Sequence, residues 1–191
     1  FFAMPTALIP FWADQLGAPW ALGLLYAAMT VGSIIITLTS GWISHVHFYG
    51  KAIMWAAIGW GAAIALSGAT NYLWVVLFFL TLAGASDMVS ALFRSAMWNQ
   101  TIPDNFRGRL AGIELLSYSL GPLAGQMRAA SMAAVTTLSI SVTSGGIICV
   151  VTVGLLAILM PEFRKFDIRT SKFALENKKS AENSRVNPES E

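Results

Sequence analysis

Thr101-Ile-Pro-Asp-Asn-Phe-Arg-Gly-Arg109 is a short polar stretch between two long apolar runs, and the rest of the chain is read outward from it. It gathers Pro103, Asp104, Arg107, Gly108 and Arg109 in a sequence that is 55% hydrophobic and only 12% charged. Soluble domains carry about 25% charged residues. Asp87 and Arg94 lie in the apolar run before the stretch, and Glu114 lies just after it. At the centre of a membrane-spanning helix an ionisable side chain costs roughly 2.5–3.5 kcal/mol on insertion scales, so each such residue marks a function or a paired structural site. The chain therefore reads as an all-α membrane protein whose polar work is concentrated near this stretch.

Working outward, the apolar runs predict six spans, each needing roughly 20 residues to cross a core of ~30 Å. The first, residues 1–12, is too short. The chain opens Phe1-Phe-Ala-Met-Pro5 with no initiator Met and no charged n-region, so it reads as a helix cut in its middle rather than a signal peptide. Pro5 and Pro10 predict a kink there, lining a cavity or serving packing. The second span covers residues 20–44, with Gly23, Gly32 and Gly41 as a packing face. The third covers residues 52–67, with Gly59, Gly61, Ala65 and Ala69 as small-residue faces that let backbones approach. The fourth covers residues 72–98 and opens on the interfacial aromatics Tyr72 and Trp74. The fifth covers residues 110–129. The sixth falls within 133–160 and starts after Thr136-Thr-Leu-Ser139. Residues 162–191 are rich in Lys, Arg, Glu, Asn and Ser and read as a solvated, disordered tail, separate from the helical unit 1–161.

Charge placement orients these spans. Ten of the twelve Lys and Arg fall in residues 45–51, residues 99–109 and the tail, whereas the links at 13–19 and 67–71 hold none. The positive-inside rule then places those three regions, and both chain ends, in the cytoplasm. Arg128, about 28 Å along a helix from Arg109, reads as marking the opposite face.

Asp87 and Arg94 sit two turns apart, a rise of roughly 10 Å, too far to pair in an ideal helix. Each then needs another partner: water, a second helix or a solute, or for Arg94 the cytoplasmic interface. Glu114 reads either as a site residue or as a carboxylate favoured near a helix start. Gly121-Pro-Leu-Ala-Gly125 combines a helix breaker, Pro122, with two small residues, and predicts a bend or a tight contact. The pair His45 and His47 has no Cys, Asp or further His nearby, so it reads as a solvated loop rather than a metal site. Cys149 stands alone in an apolar run. No Ser/His pair, His-Glu-x-x-His or facing aspartate pair occurs, so an intramembrane enzyme is disfavoured, and nothing calls for a cofactor. The basic residues flank membrane spans, and no nucleic-acid patch is suggested.

Six spans, a short Gly/Lys loop after the second, and Thr-x-Pro-Asp-x-x-Arg-Gly-Arg between the fourth and fifth resemble the C-terminal half of a major facilitator superfamily transporter. Gly84-Ala-Ser-Asp-Met-Val-Ser-Ala-Leu-Phe-Arg94 followed by residues 101–109 is similar to bacterial drug and siderophore exporters of the enterobactin-exporter type. The resemblance covers residues 1–161 as helices seven to twelve. It implies a multi-pass protein of the bacterial inner membrane with a cytoplasmic C-terminus, a missing N-terminal half as partner, and proton-driven efflux of a small molecule. It further implies that Pro103, Asp104, Arg107, Gly108 and Arg109 form a cytoplasmic gating loop, with Gly108 permitting a tight turn, and that Asp87, Arg94 and Glu114 are candidates for the proton or solute site. Where the family commonly follows its Gly-Pro-x-x-Gly stretch with acidic residues, Gln126 and Arg128 stand here. The walls that would receive an amphiphilic solute include Trp12, Tyr26, Met29 and Trp60. The alternative to a transporter half is a non-transporting membrane scaffold or a truncated relic, in which Asp87 and Arg94 only satisfy polar partners.

Overall fold

The computed structural model describes residues 6–46, 48–101 and 104–160. Every regular element among them is helical. They are α1 (Ile9–Gln15), α2 (Leu22–Leu38), α3 (Tyr49–Gly68), α4 (Leu73–Thr101), α5 (Asp104–Val135) and α6 (Leu138–Leu159), with 3₁₀ turns before α1 and on both sides of α2. The protein is an all-α molecule, as its uninterrupted apolar runs predict.

Local chemistry sets the helix ends. Pro10 occupies the first turn of α1, where its missing N–H would have had no helical partner and its fixed φ suits the helix. The 3₁₀ turn Thr6–Leu8 leads directly into α1 just before Pro10, and Pro5 lies outside the described residues. Beyond Gln15 the chain reverses at Gly17, at φ +65°, a conformation that costs a residue without Cβ little. Its N–H bonds Asp14 O at 3.0 Å, and Ala18 N bonds Ala13 O at 3.0 Å, closing the helix in the usual C-terminal manner. At the start of α6 the hydroxyl of Thr137 accepts from Ile140 N at 3.3 Å, an N-cap that satisfies one orphan donor.

Among the described residues, four segments are long and apolar enough to cross a membrane: Pro19–Leu38, Tyr49–Gly68, Leu73–Trp98 and Leu138–Leu159. Of the six spans expected, the remaining two correspond to α1, of seven residues, and α5, which has 32 residues but carries Asp104, Arg107, Arg109, Glu114 and Arg128. The main departure from expectation concerns the polar stretch. Instead of a nine-residue loop, α4 runs on to Thr101 and α5 begins at Asp104, leaving Ile102 and Pro103 outside the described residues. An acidic residue in the first turn complements the helix dipole, and Arg, Leu and Ala are good helix formers, so the stretch winds once Pro103 has been passed. Gly108 is accordingly helical and exposed, and does not make a tight turn. The tail 162–191 lies outside the described residues.

The helices pack in the lateral order α2, α4, α3, α6, α5. The crossings are built on small residues, because lipid offers no hydrophobic drive between helices and close van der Waals contact must hold them. Gly32 of α2 lies against the Thr81 carbonyl of α4, and Gly84 of α4 against Met29 of α2. Ser33 Oγ reinforces this crossing by donating to Gly84 O at 3.1 Å. On α3, Gly61 and Gly68 face Gly146, Cys149 and Thr143 of α6, while Gly59 faces Ser86 of α4. Of the expected packing glycines of the second span, only Gly32 serves; Gly23 and Gly41 have open space beside them.

A core of Ile9, Trp12, Leu25, Ile64, Val76, Leu80 and Val142 fills one end of the bundle. These residues come from the helix ends remote from the α4–α5 junction. Trp12 is 2% exposed at its centre, and Met29 and Trp60 pack against it. Of the four side chains considered as solute-facing walls, Trp12 is therefore core, and Met29 and Trp60 are half-buried against that core. Tyr26 is exposed, with its hydroxyl donating to Thr6 O at 3.2 Å.

Candidate functional site

Asp87 stands in the middle of α4, fourteen residues from Leu73 and fourteen from Thr101. Its side chain is exposed and makes no hydrogen bond or ion pair among the described residues. On the neighbouring position, Ser86 faces Gly59 of α3, where an added Cβ would come within 3.2 Å of its hydroxyl. One turn further along α4, Ser90 is 8% exposed, and its carbonyl accepts from Arg94 Nε at 3.3 Å. Arg94 folds back on its own helix and does not reach Asp87, in keeping with their two-turn separation. The α4 polar stripe is therefore Ser86, Asp87, Ser90 and Arg94, with one exposed carboxylate and a guanidinium whose Nε is engaged by its own helix.

The basic stretch after α4 has a helical backbone from Asp104, which puts Arg107 and Arg109 in the opening turns of α5. The side chains of Asp104, Arg107, Arg109 and Glu114 lie outside the described residues, so their contacts with the α4 stripe are not part of this geometry. Further along, α5 continues as one helix through Pro122. Gly125 is buried, whereas Gly121 is half-buried with nothing within 4 Å of where a Cβ would stand.

Sequence reasoning missed one polar contact. Arg128, expected to mark a membrane face, is followed by seven further residues of α5, to Val135, about 10 Å at 1.5 Å per residue. Its guanidinium packs on Gly145 of α6, where a Cβ would stand 2.5 Å from Nη2. Nη1 reaches only Met132 Sδ, at 3.8 Å, and Nε is buried without a hydrogen-bond partner. Next to it Ser141 Oγ donates to Ala129 O at 2.7 Å, tying α6 to α5. The available signal was Gly145 alone, a gap in an apolar helix that a long side chain of the neighbouring helix can enter.

Curated relatives match about three quarters of the chain. Enterobactin exporter EntS of Salmonella typhi is 28% identical over 146 residues, 76% of this chain and 35% of that protein. The proteins of the same name from Escherichia coli O81 (strain ED1a) and Shigella flexneri match at the same identity and coverage. The likeness to enterobactin-exporter-type proteins is borne out, and the chain spans about a third of the length of these relatives. No family model matches the chain, and no solved structure matches it.

Proposed function

We propose that this chain is the C-terminal six-helix half of a major facilitator superfamily exporter of the bacterial inner membrane, expelling a siderophore- or drug-like small molecule in exchange for protons. The observation that carries the reading is the 146-residue likeness to proteins named as enterobactin exporters. That likeness covers 35% of their length, which supports a second, N-terminal body as the other wall of the cavity. Alternating access rocks two such bodies around a midplane site.

In this reading Asp87 is the proton-carrying group. It sits halfway along a spanning helix, exposed and unbonded, so protonation breaks no existing contact. Taking up a proton removes a charge whose presence in a hydrophobic layer is costly, and the two forms of the carboxylate thereby favour different packings of the halves. Arg94 and Glu114 are the further candidates for the proton or solute site. Arg107 and Arg109 gate the cytoplasmic side, since a guanidinium bonds a carboxylate or a helix C-terminus in two-pronged fashion, a contact that exists in one state and breaks in the other. The C-terminus and residues 99–109 lie on the cytoplasmic side in this arrangement.

Expression of the full-length gene product in a bacterial strain lacking its own enterobactin exporter tests the reading. Enterobactin should reappear in the medium, and Asp87→Asn should lower its appearance at least tenfold, about 1.4 kcal/mol in activation free energy, at unchanged abundance in the membrane. Equal release with and without the gene would remove the solute assignment, and full activity of the Asn variant would remove Asp87 from the coupling.

A further inference from the structure

We infer that Arg128 is the cationic half of an oxyanion-binding site between α5 and α6, taking a carboxylate or a similar oxygen anion. Two independent observations carry this. First, the guanidinium has a buried Nε with no acceptor, and its one hydrogen bond is Nη1 to the Met132 sulfur at 3.8 Å, a weak acceptor that neutralises no charge. Second, α6 leaves space for the group: a Cβ on Gly145 would stand 2.5 Å from Nη2. Gly145 is seven residues inside α6 from Leu138, just as Arg128 is seven residues inside α5 from Val135. Both positions therefore lie about 10 Å in from the nearer ends of their helices.

Arg128 is half-buried, and Nε, the part of the guanidinium shut off from its surroundings, meets no acceptor among the described residues; the planar fork of the group matches carboxylate geometry better than any other common group. Ser144 lies at the same place, its Oγ 3.2 Å from the Met132 sulfur that Arg128 also touches, with its hydroxyl engaged by Ser141 O at 2.9 Å. The anion has two possible sources with one chemistry: an acidic side chain on polypeptide outside this chain, or the anionic part of a transported solute. The solute source rests on the exporter reading, whereas the binding site itself does not.

The test is calorimetric titration in an uncharged maltoside detergent with benzoate as probe and benzamide as its neutral counterpart. It uses the 191-residue chain and, in parallel, the full-length gene product. Benzoate should bind about tenfold tighter than benzamide, Arg128→Gln should abolish that preference, and Arg128→Lys should retain part of it. Gly145→Ala, which displaces the guanidinium without removing its charge, should narrow the preference and guards against a Gln variant that fails to fold. Preference seen with the short chain but not the full-length product identifies a protein carboxylate as occupant; preference seen with the full-length product identifies a solute site. Equal binding of the two probes in both proteins, or a preference that survives Arg128→Gln, overturns the inference. Loss of enterobactin release with the benzoate preference intact would defeat the exporter reading alone.

Discussion

At Gly32 an added methyl group would meet the Thr81 carbonyl, and at Gly84 it would meet the backbone of Met29. Backbone cannot rotate away as a side-chain end does, so Gly32→Ala or Gly84→Ala should push α2 and α4 apart and cost about 1–3 kcal/mol, the usual range for overpacking. Gly23 has nothing within 4 Å, so Gly23→Ala should be neutral or stabilising by up to about 1 kcal/mol through helix propensity. Denaturant unfolding in micelles, followed by helical circular dichroism, separates the three; equal stability of all would mean that the α2–α4 crossing is looser than described. The same assay applied to Asp87→Asn should show a change within about 0.5 kcal/mol, as for a surface substitution away from any contact. A large loss of stability there would make Asp87 a structural residue. Sequence identified the carboxylate, because charge in an apolar run is conspicuous. It did not distinguish Gly32 from Gly23, since both sit in the same helix with the same freedom and only the position of α4 decides which one is crossed.

Among the long helices, α5 is held differently from the others. It packs chiefly on α6, whereas α3 is embraced by α4 and α6, and one of its fastenings is the Ser141 hydroxyl, fully buried and bonded to Ala129 O at 2.7 Å. Ser141→Ala should weaken that docking by about 0.6 kcal/mol, the mean measured for interhelical hydrogen bonds in a membrane protein. Amide exchange in α5 should quicken while that in α3 stays unchanged; quickening throughout the bundle would mean that α5 and the rest unfold as one unit. The helical winding of residues 104–109 belongs to this scale too. Polar composition and Pro103 argue for a loop, but a proline stops only the helix that precedes it, and an acidic first turn starts the next one. Composition reports polarity, and polarity does not exclude a helix end.

For the molecule as a whole, the dense core of Trp12, Leu25, Ile64, Val76 and Leu80 lies at the end away from the α4–α5 junction. Exchange should therefore be slowest for amides of α3 and of the first half of α4, and faster from Asp87 onward, because buried apolar contact governs local opening. Uniform protection along α4 would contradict this gradient. The membrane class, the all-helical fold and the rare intramembrane charges are determined by the sequence alone, since the cost of exposing backbone or charge to lipid depends on residue type and run length. Which glycines are crossings, which aromatics are core, and that Arg128 lies against Gly145 are decided only in three dimensions. Helical periodicity gives each side chain a direction but leaves open which helix lies in that direction, and only the tertiary packing supplies the neighbour.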